Sequence, residues 1–159
     1  MSTEANLPDS IRDASHPHND GVIVFDRDGN SVVSAIAPEI IIEPETFLAE
    51  ASETPVAQRL RAWLADHVDR QALGIRFPKF TDGRGFSVAA RLREAGYAGE
   101  LHALGEISQD LIFQLRRVGF THFHLLNPGV EKIPRAVLEP FGAYYQAGAD
   151  GSRAYWQQA

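Results

Sequence analysis

Apolar residues recur along this chain in two alternating rhythms, and the switches between them outline its architecture. Leu73–Phe80, Leu101–Leu104 and Thr121–Leu126 are short runs of strand length. Between them, Ser87–Ala95 sets Val88, Leu92 and Ala95 on one helical face. Ser108–Val118 does the same with Leu111, Ile112, Leu115 and Val118. Ser87 and Ser108 suit helix starts, and Gly96 and Gly119 suit helix ends. Strands alternating with helices of about ten residues predict βα units, hence an α/β domain with a parallel sheet and right-handed crossovers. Three or four such units are too few to close an eight-unit barrel, so the sheet is open or barrel-like over part of a turn, with an edge to pair or cover.

Upstream, Val22–Phe25 and Val32–Ile36 flank the Gly-containing loop Asp26–Asn30, which predicts an N-terminal β-hairpin ahead of the units. Ile40–Ile42 offers a further strand. Asp28-Gly29-Asn30 lacks the spaced carboxylates and closing Glu of a calcium loop and reads as a turn. Pro44–Ala51 predicts a short helix, and Thr54-Pro55 opens a longer one to about Val68, with Leu60, Trp63, Leu64 and His67 on one face. His67 reads as a residue at the edge of that stripe. Pro134–Leu138 reads as a short helix and Phe141–Ala147 as a last strand. Residues 1–20 are polar and without period, so they are expected to form a disordered tail, in which His16 and His18 are solvated. That leaves a single α/β domain over 21–147 and a C-terminal tail over 148–159.

Composition narrows the function classes. The 159 residues carry 15 Lys and Arg against 21 Asp and Glu, a net charge of −6, with no basic stripe, which excludes a nucleic-acid binder. No apolar run approaches the roughly 20 residues that span a bilayer, and the N-terminus lacks the basic and apolar regions of a secretory signal. A cytoplasmic protein is expected. The chain has no Cys, hence no thiol nucleophile, disulfide, or thiolate-held zinc or iron–sulfur cluster.

In an open parallel sheet ligands gather at the carboxyl ends of the strands. There the loop Thr81–Phe86 is the most informative. Gly83 and Gly85 permit close backbone approach, Arg84 presents a fork of donors, and the N–H groups toward Ser87 open a helix. Asp82, Gly83, Arg84, Gly85 and Ser87, with Glu106 from the next loop, are thus candidates for binding an oxyanion. The competing reading is structural: Asp82 caps the turn and pairs with Arg84. Asp82, Glu106 and Asp110 form a weaker acid/base or Mg²⁺ candidate. His102, His122 and His124 lie on adjacent strands, the latter two on one face, but read as sheet-edge or surface histidines rather than a metal set. Phe113 points off its helix stripe beside Arg116 and Arg117, either an unremarkable exposed ring or a partner surface.

Gly74–Ser87, Arg91–Leu101, Gly105–Asp110 and Arg117–Phe123 together resemble one uncharacterised bacterial family. The string Phe77-Pro-Lys-Phe-x-Asp-Gly-Arg-Gly-Phe-Ser87 carries most of the likeness. Members are commonly encoded beside sulfite reductase and phosphoadenylyl-sulfate reductase and are described as oxidoreductases probably involved in sulfite reduction. The likeness covers residues 72–126 well and the ends poorly. It departs at Leu111, where the family usually has Gln, and at His102, where it usually has Arg. The resemblance implies an accessory protein of assimilatory sulfite or sulfate reduction, binding a partner reductase or an oxyanion, with an oxidoreductase component by likeness alone. Sulfite reductase or another sulfate-assimilation enzyme is the implied partner, and a second copy of the chain is a further one. No resident cofactor is expected. Two readings compete: a small α/β enzyme or binding protein for a phosphorylated or sulfated metabolite, and a non-catalytic scaffold.

Overall fold

A computed structural model of the protein describes residues 21–33, 36–48, 54–79 and 81–157. Five strands make one sheet: β1 (Val22–Phe25), β2 (Ile40–Ile42), β3 (Ala72–Phe77), β4 (Glu100–Gly105) and β5 (His122–Leu126). Their spatial order is β1-β5-β4-β3-β2. β2 to β5 are mutually parallel, and β1 adds antiparallel to the outside of β5. Helices α1 (Glu45–Leu48) and α2 (Val56–Ala65) lead from β2 to β3, and α3 (Arg84–Glu94) from β3 to β4. A 3-10 turn (Gln109–Leu111) running into α4 (Ile112–Arg117) leads to β5, and α5 (Arg135–Leu138) follows it. The α/β architecture expected from the alternating periods is present.

The four parallel strands follow one another in space as they do in sequence. The winding never reverses, so the sheet has no topological switch point, the crevice where open α/β sheets usually hold ligands. Right-handed crossovers that keep advancing one way also put every helix on the same face. Burial agrees. Leu73, Ile75 and Phe77 of β3, Leu101 and Ala103 of β4, and Phe123 and Leu125 of β5 share one core with Leu60, Leu92 and Leu115 of the helices. Strand side chains of the opposite face, such as Ile41, Leu104, His102 and Leu126, do not belong to that core.

Helices α3 and α4 end alike. In each, a glycine takes positive φ (Gly96 98°, Gly119 106°). The amide after it bonds back five residues, Tyr97 to the Leu92 carbonyl and Phe120 to that of Leu115. This is the Schellman arrangement, and it delivers an aromatic ring into the core at each strand entry. Arg93 joins the two ends, donating to the carbonyls of Tyr97, Gly99 and Gly119.

Three sequence expectations change. Helix α3 begins at Arg84 rather than Ser87, because the Asp82 carboxylate accepts the Arg84 N–H at 3.0 Å and fixes the first turn early. The Asp26–Asn30 turn does close, with the Val32 N–H on the Val24 carbonyl at 2.8 Å. However, the returning Val32–Val33 is not a sheet strand, and residues 34–35 lie outside those described. β1 takes β5 as its partner instead, where Ile23 and Phe25 meet Leu125 and Phe123. With β1 on that edge, no place beside β5 remains, and Phe141–Ala147 forms no strand. It packs over α4, tied by a single bridge from Tyr144 to Ala154.

Candidate functional site

The loop after β3 is a closed set of ion pairs. Asp82 accepts the Arg84 Nε at 2.9 Å and Nη2 at 2.6 Å, while Glu45 takes Nη2 at 2.8 Å. The guanidinium holds the Asp82 carboxyl below the usual carboxylate range, and the two carboxylates push Arg84 further up. Gly85 is buried because a Cβ there would stand 2.5 Å from the Phe77 ring, so its lack of a side chain serves helix-on-strand packing. A Cβ at Gly83 would meet nothing within 4 Å. Ser87 and Glu106 are exposed, and Asp110 accepts the Ser108 hydroxyl at 2.5 Å within its own turn.

A second constellation stands on the sheet face away from the helices. β4 and β5 pair with His102 opposite His122. Strand alternation puts Glu100 and His102 on the same face of β4, as it does His122 and His124 on β5. His102 is fully buried, stacked on His122 with ring centroids 4.4 Å apart and planes 12° from parallel. Its Nδ1 lies 2.9 Å from the His124 Nε2 and its Nε2 3.3 Å from the Glu100 carboxylate. The same carboxylate oxygen is 3.7 Å from the His122 Nδ1. Burial, with the neighbouring His122, pushes His102 down to about 3, so the ring is neutral near pH 7. Among the described residues, Glu100, His102 and His122 bring one donor atom each to within 4.8 Å of one another.

Glu100 is the residue that the sequence reading passed over. The signal was available: a Glu two residues before a strand histidine shares its face. The three histidines, expected at a sheet edge or surface, include one at the centre of the sheet, on β4 between β3 and β5.

The expected partner-surface residues are engaged by the chain's own C-terminal segment. Phe113 packs edge-on against Phe141 and tilted against Tyr144, at 5.7 and 5.6 Å. Arg116 donates to the Leu138 carbonyl, and Arg117 to Gln146 and Ser152 while lying 4.5 Å over the Tyr144 ring. What this segment presents outward is aromatic. Phe141, Tyr145, Tyr155 and Trp156 are 61, 81, 71 and 56% exposed.

Residues 53–156 match the model of a bacterial protein family of unknown function, DUF934. The chain belongs to this family. The DUF934 match begins just before α2 and ends within the aromatic segment, so it contains Arg84, the histidine cluster and the outward rings. β1, β2 and Glu45 precede it. Comparison with curated proteins gives no match, and comparison with solved structures gives none either. No helix among the described residues is long and apolar enough to cross a membrane.

Proposed function

We propose that this DUF934 protein is an accessory protein of sulfite reduction that docks on the reductase through its C-terminal aromatic surface. The carrying observation is that surface. Tyr145 and Trp156 meet edge-to-face at 5.0 Å while both remain more than half exposed, beside Phe141 and Tyr155. Tyr, Trp and Phe are the side chains that concentrate binding energy in protein interfaces, because they bury much area with few rotors. Arg117 fixes the segment from below through Tyr144, Gln146 and Ser152, so the rings are held in place before binding, which lowers the ordering cost. The partner's identity comes from the family resemblance, and the division of labour from composition. A chain without Cys has no thiolate for an iron–sulfur cluster, so any such cluster belongs to the reductase.

The test is biolayer interferometry between the purified protein and sulfite reductase from the same host. Saturable binding is expected, weakened at least about tenfold in the Tyr145→Ala/Trp156→Ala variant with an unchanged circular dichroism spectrum. No binding, or equal affinity for the variant, would overturn the reading.

A further inference from the structure

We propose that Glu100, His102 and His122 form a binding site for a divalent transition metal ion of the zinc type. Zinc holds imidazole nitrogen and carboxylate oxygen at about 2.0–2.2 Å, and a tetrahedron with such bonds has donor-to-donor edges of roughly 3.4 Å. The Glu100 oxygen stands 3.3 Å from the His102 Nε2, an edge of that length, and 3.7 Å from the His122 Nδ1 before that ring turns. All three donors lie within 4.8 Å of one another, and closing the third edge needs the His122 ring to rotate out of its stack on His102.

The surroundings suit the role. A metal on the His102 Nε2 requires the proton on Nδ1, and that nitrogen faces the His124 Nε2 at 2.9 Å. An outer acceptor of this kind orients a ligating imidazole and fixes its tautomer. His102 and His122 sit opposite each other on hydrogen-bonded strands, so their backbone separation is set before any ion arrives. The His102 side chain is fully buried and that of His122 13% exposed, whereas Glu100 is 35% exposed. The carboxylate side therefore opens to solvent, giving an entry path and a fourth coordination position. His122 must turn its Nδ1 away from the Thr121 hydroxyl, 3.0 Å distant, and that hydroxyl keeps its bonds to the Leu101 backbone. Two imidazoles with one carboxylate favour zinc and its first-row neighbours over Mg²⁺ and Ca²⁺, which take oxygen ligands.

The experiment is calorimetric titration of the chelator-treated full chain with ZnCl₂, with bound metal counted after gel filtration. One ion per chain is expected, with Ca²⁺ and Mg²⁺ binding at least about tenfold more weakly. Co²⁺ in place of Zn²⁺ should give the visible bands of a four-coordinate ion. His122→Ala and Glu100→Gln should each weaken Zn²⁺ at least about tenfold, and His16→Ala/His18→Ala should leave it unchanged. Circular dichroism checks each fold, and the isosteric Glu100→Gln carries the test if His122→Ala does not fold. No Zn²⁺ uptake, equal affinity in Glu100→Gln, equal Ca²⁺ affinity, or loss of binding in the His16/His18 variant would each overturn the proposal.

Discussion

The loop after β3 and the outer face of β4 and β5 start from similar material, a few ionisable side chains brought together beside the parallel strands, and arrive at opposite outcomes. In the loop, one guanidinium meets two carboxylates, and the Asp82 carboxylate also accepts the first amide of α3. Charge, donors and acceptors are matched, and the result is a helix start pinned to the strand before it. On the sheet face, both ion-pair partners of Glu100 are histidines, one of them neutral through burial. A carboxylate facing imidazoles keeps acceptor capacity that a guanidinium would have filled. The difference teaches that charged residues in a loop at the conventional end of the sheet are weaker evidence for a ligand than imidazole and carboxylate donors that converge. It also follows from topology: without a reversal of winding, the loop end lacks a switch-point crevice, and the opposite face of the sheet is where polar strand residues gather.

The largest effect that would break this comparison is at its centre. His102→Ala should destabilise the metal-free protein by about 2–4 kcal/mol, since it opens a cavity beneath His122 and strips His124 and Glu100 of a partner. Urea unfolding followed by circular dichroism measures it. Arg84→Ala should cost much less, because the Arg84 side chain is 42% exposed and its pair with Glu45 is open to solvent and screened. A reversed ranking would mean that the loop, not the sheet face, is the organised polar centre.

Next in size is a pair of glycines that separates packing from ligand approach within the loop. Gly85→Ala puts a methyl 2.5 Å from the Phe77 ring and should cost about 1–3 kcal/mol. Gly83→Ala has open space and helical φ of −73°, so its unfolding free energy should change by no more than about 0.5 kcal/mol. Equal costs would show that the loop's shape, rather than one contact, requires glycine at both positions.

Much of the fold could be read from the chain because its signals are local. Period, Gly96 and Gly119 as helix ends, and the apolar strands with alternating helices all act over a few residues, and they place β3, α3, β4, α4 and β5. What local pattern could not give was which edge β1 would join. The turn after Phe25 favours a hairpin, yet the decision belongs to Phe123 and Leu125, about a hundred residues downstream. The same long-range choice displaced the expected strand at Phe141–Ala147. The site was half legible. Alternation placed His122 and His124 together, but joining them to His102 and Glu100 needs the register between β4 and β5, which no single strand encodes. The Asp82–Arg84 pair was anticipated as the structural alternative to anion binding, whereas Glu45, which completes the pairing from 39 residues upstream, was not.

The smallest expected effect concerns the oxyanion proposal for Asp82, Gly83, Arg84, Gly85, Ser87 and Glu106. Arg84 can receive an anion only by exchanging a partner it already has. Asp82 is the harder to displace: its side chain is 12% exposed, bonds the Arg84 Nε and Nη2, and accepts the backbone N–H that starts the helix. Glu45 is the easier, being 69% exposed and holding Nη2 through one bond. Sulfite, sulfate or phosphate should therefore bind the wild type no better than roughly millimolar, as one exposed fork with helix-start amides allows. Glu45→Gln keeps the shape of the side chain, removes the competing charge, and should tighten anion binding by a few fold; Arg84→Ala should abolish it. Calorimetric titration of the three proteins with each anion, at constant ionic strength, reads the ranking directly. If Glu45→Gln binds no more tightly than wild type, Asp82 alone closes the fork, and the loop is a structural joint between β3 and α3 with no anion to hold.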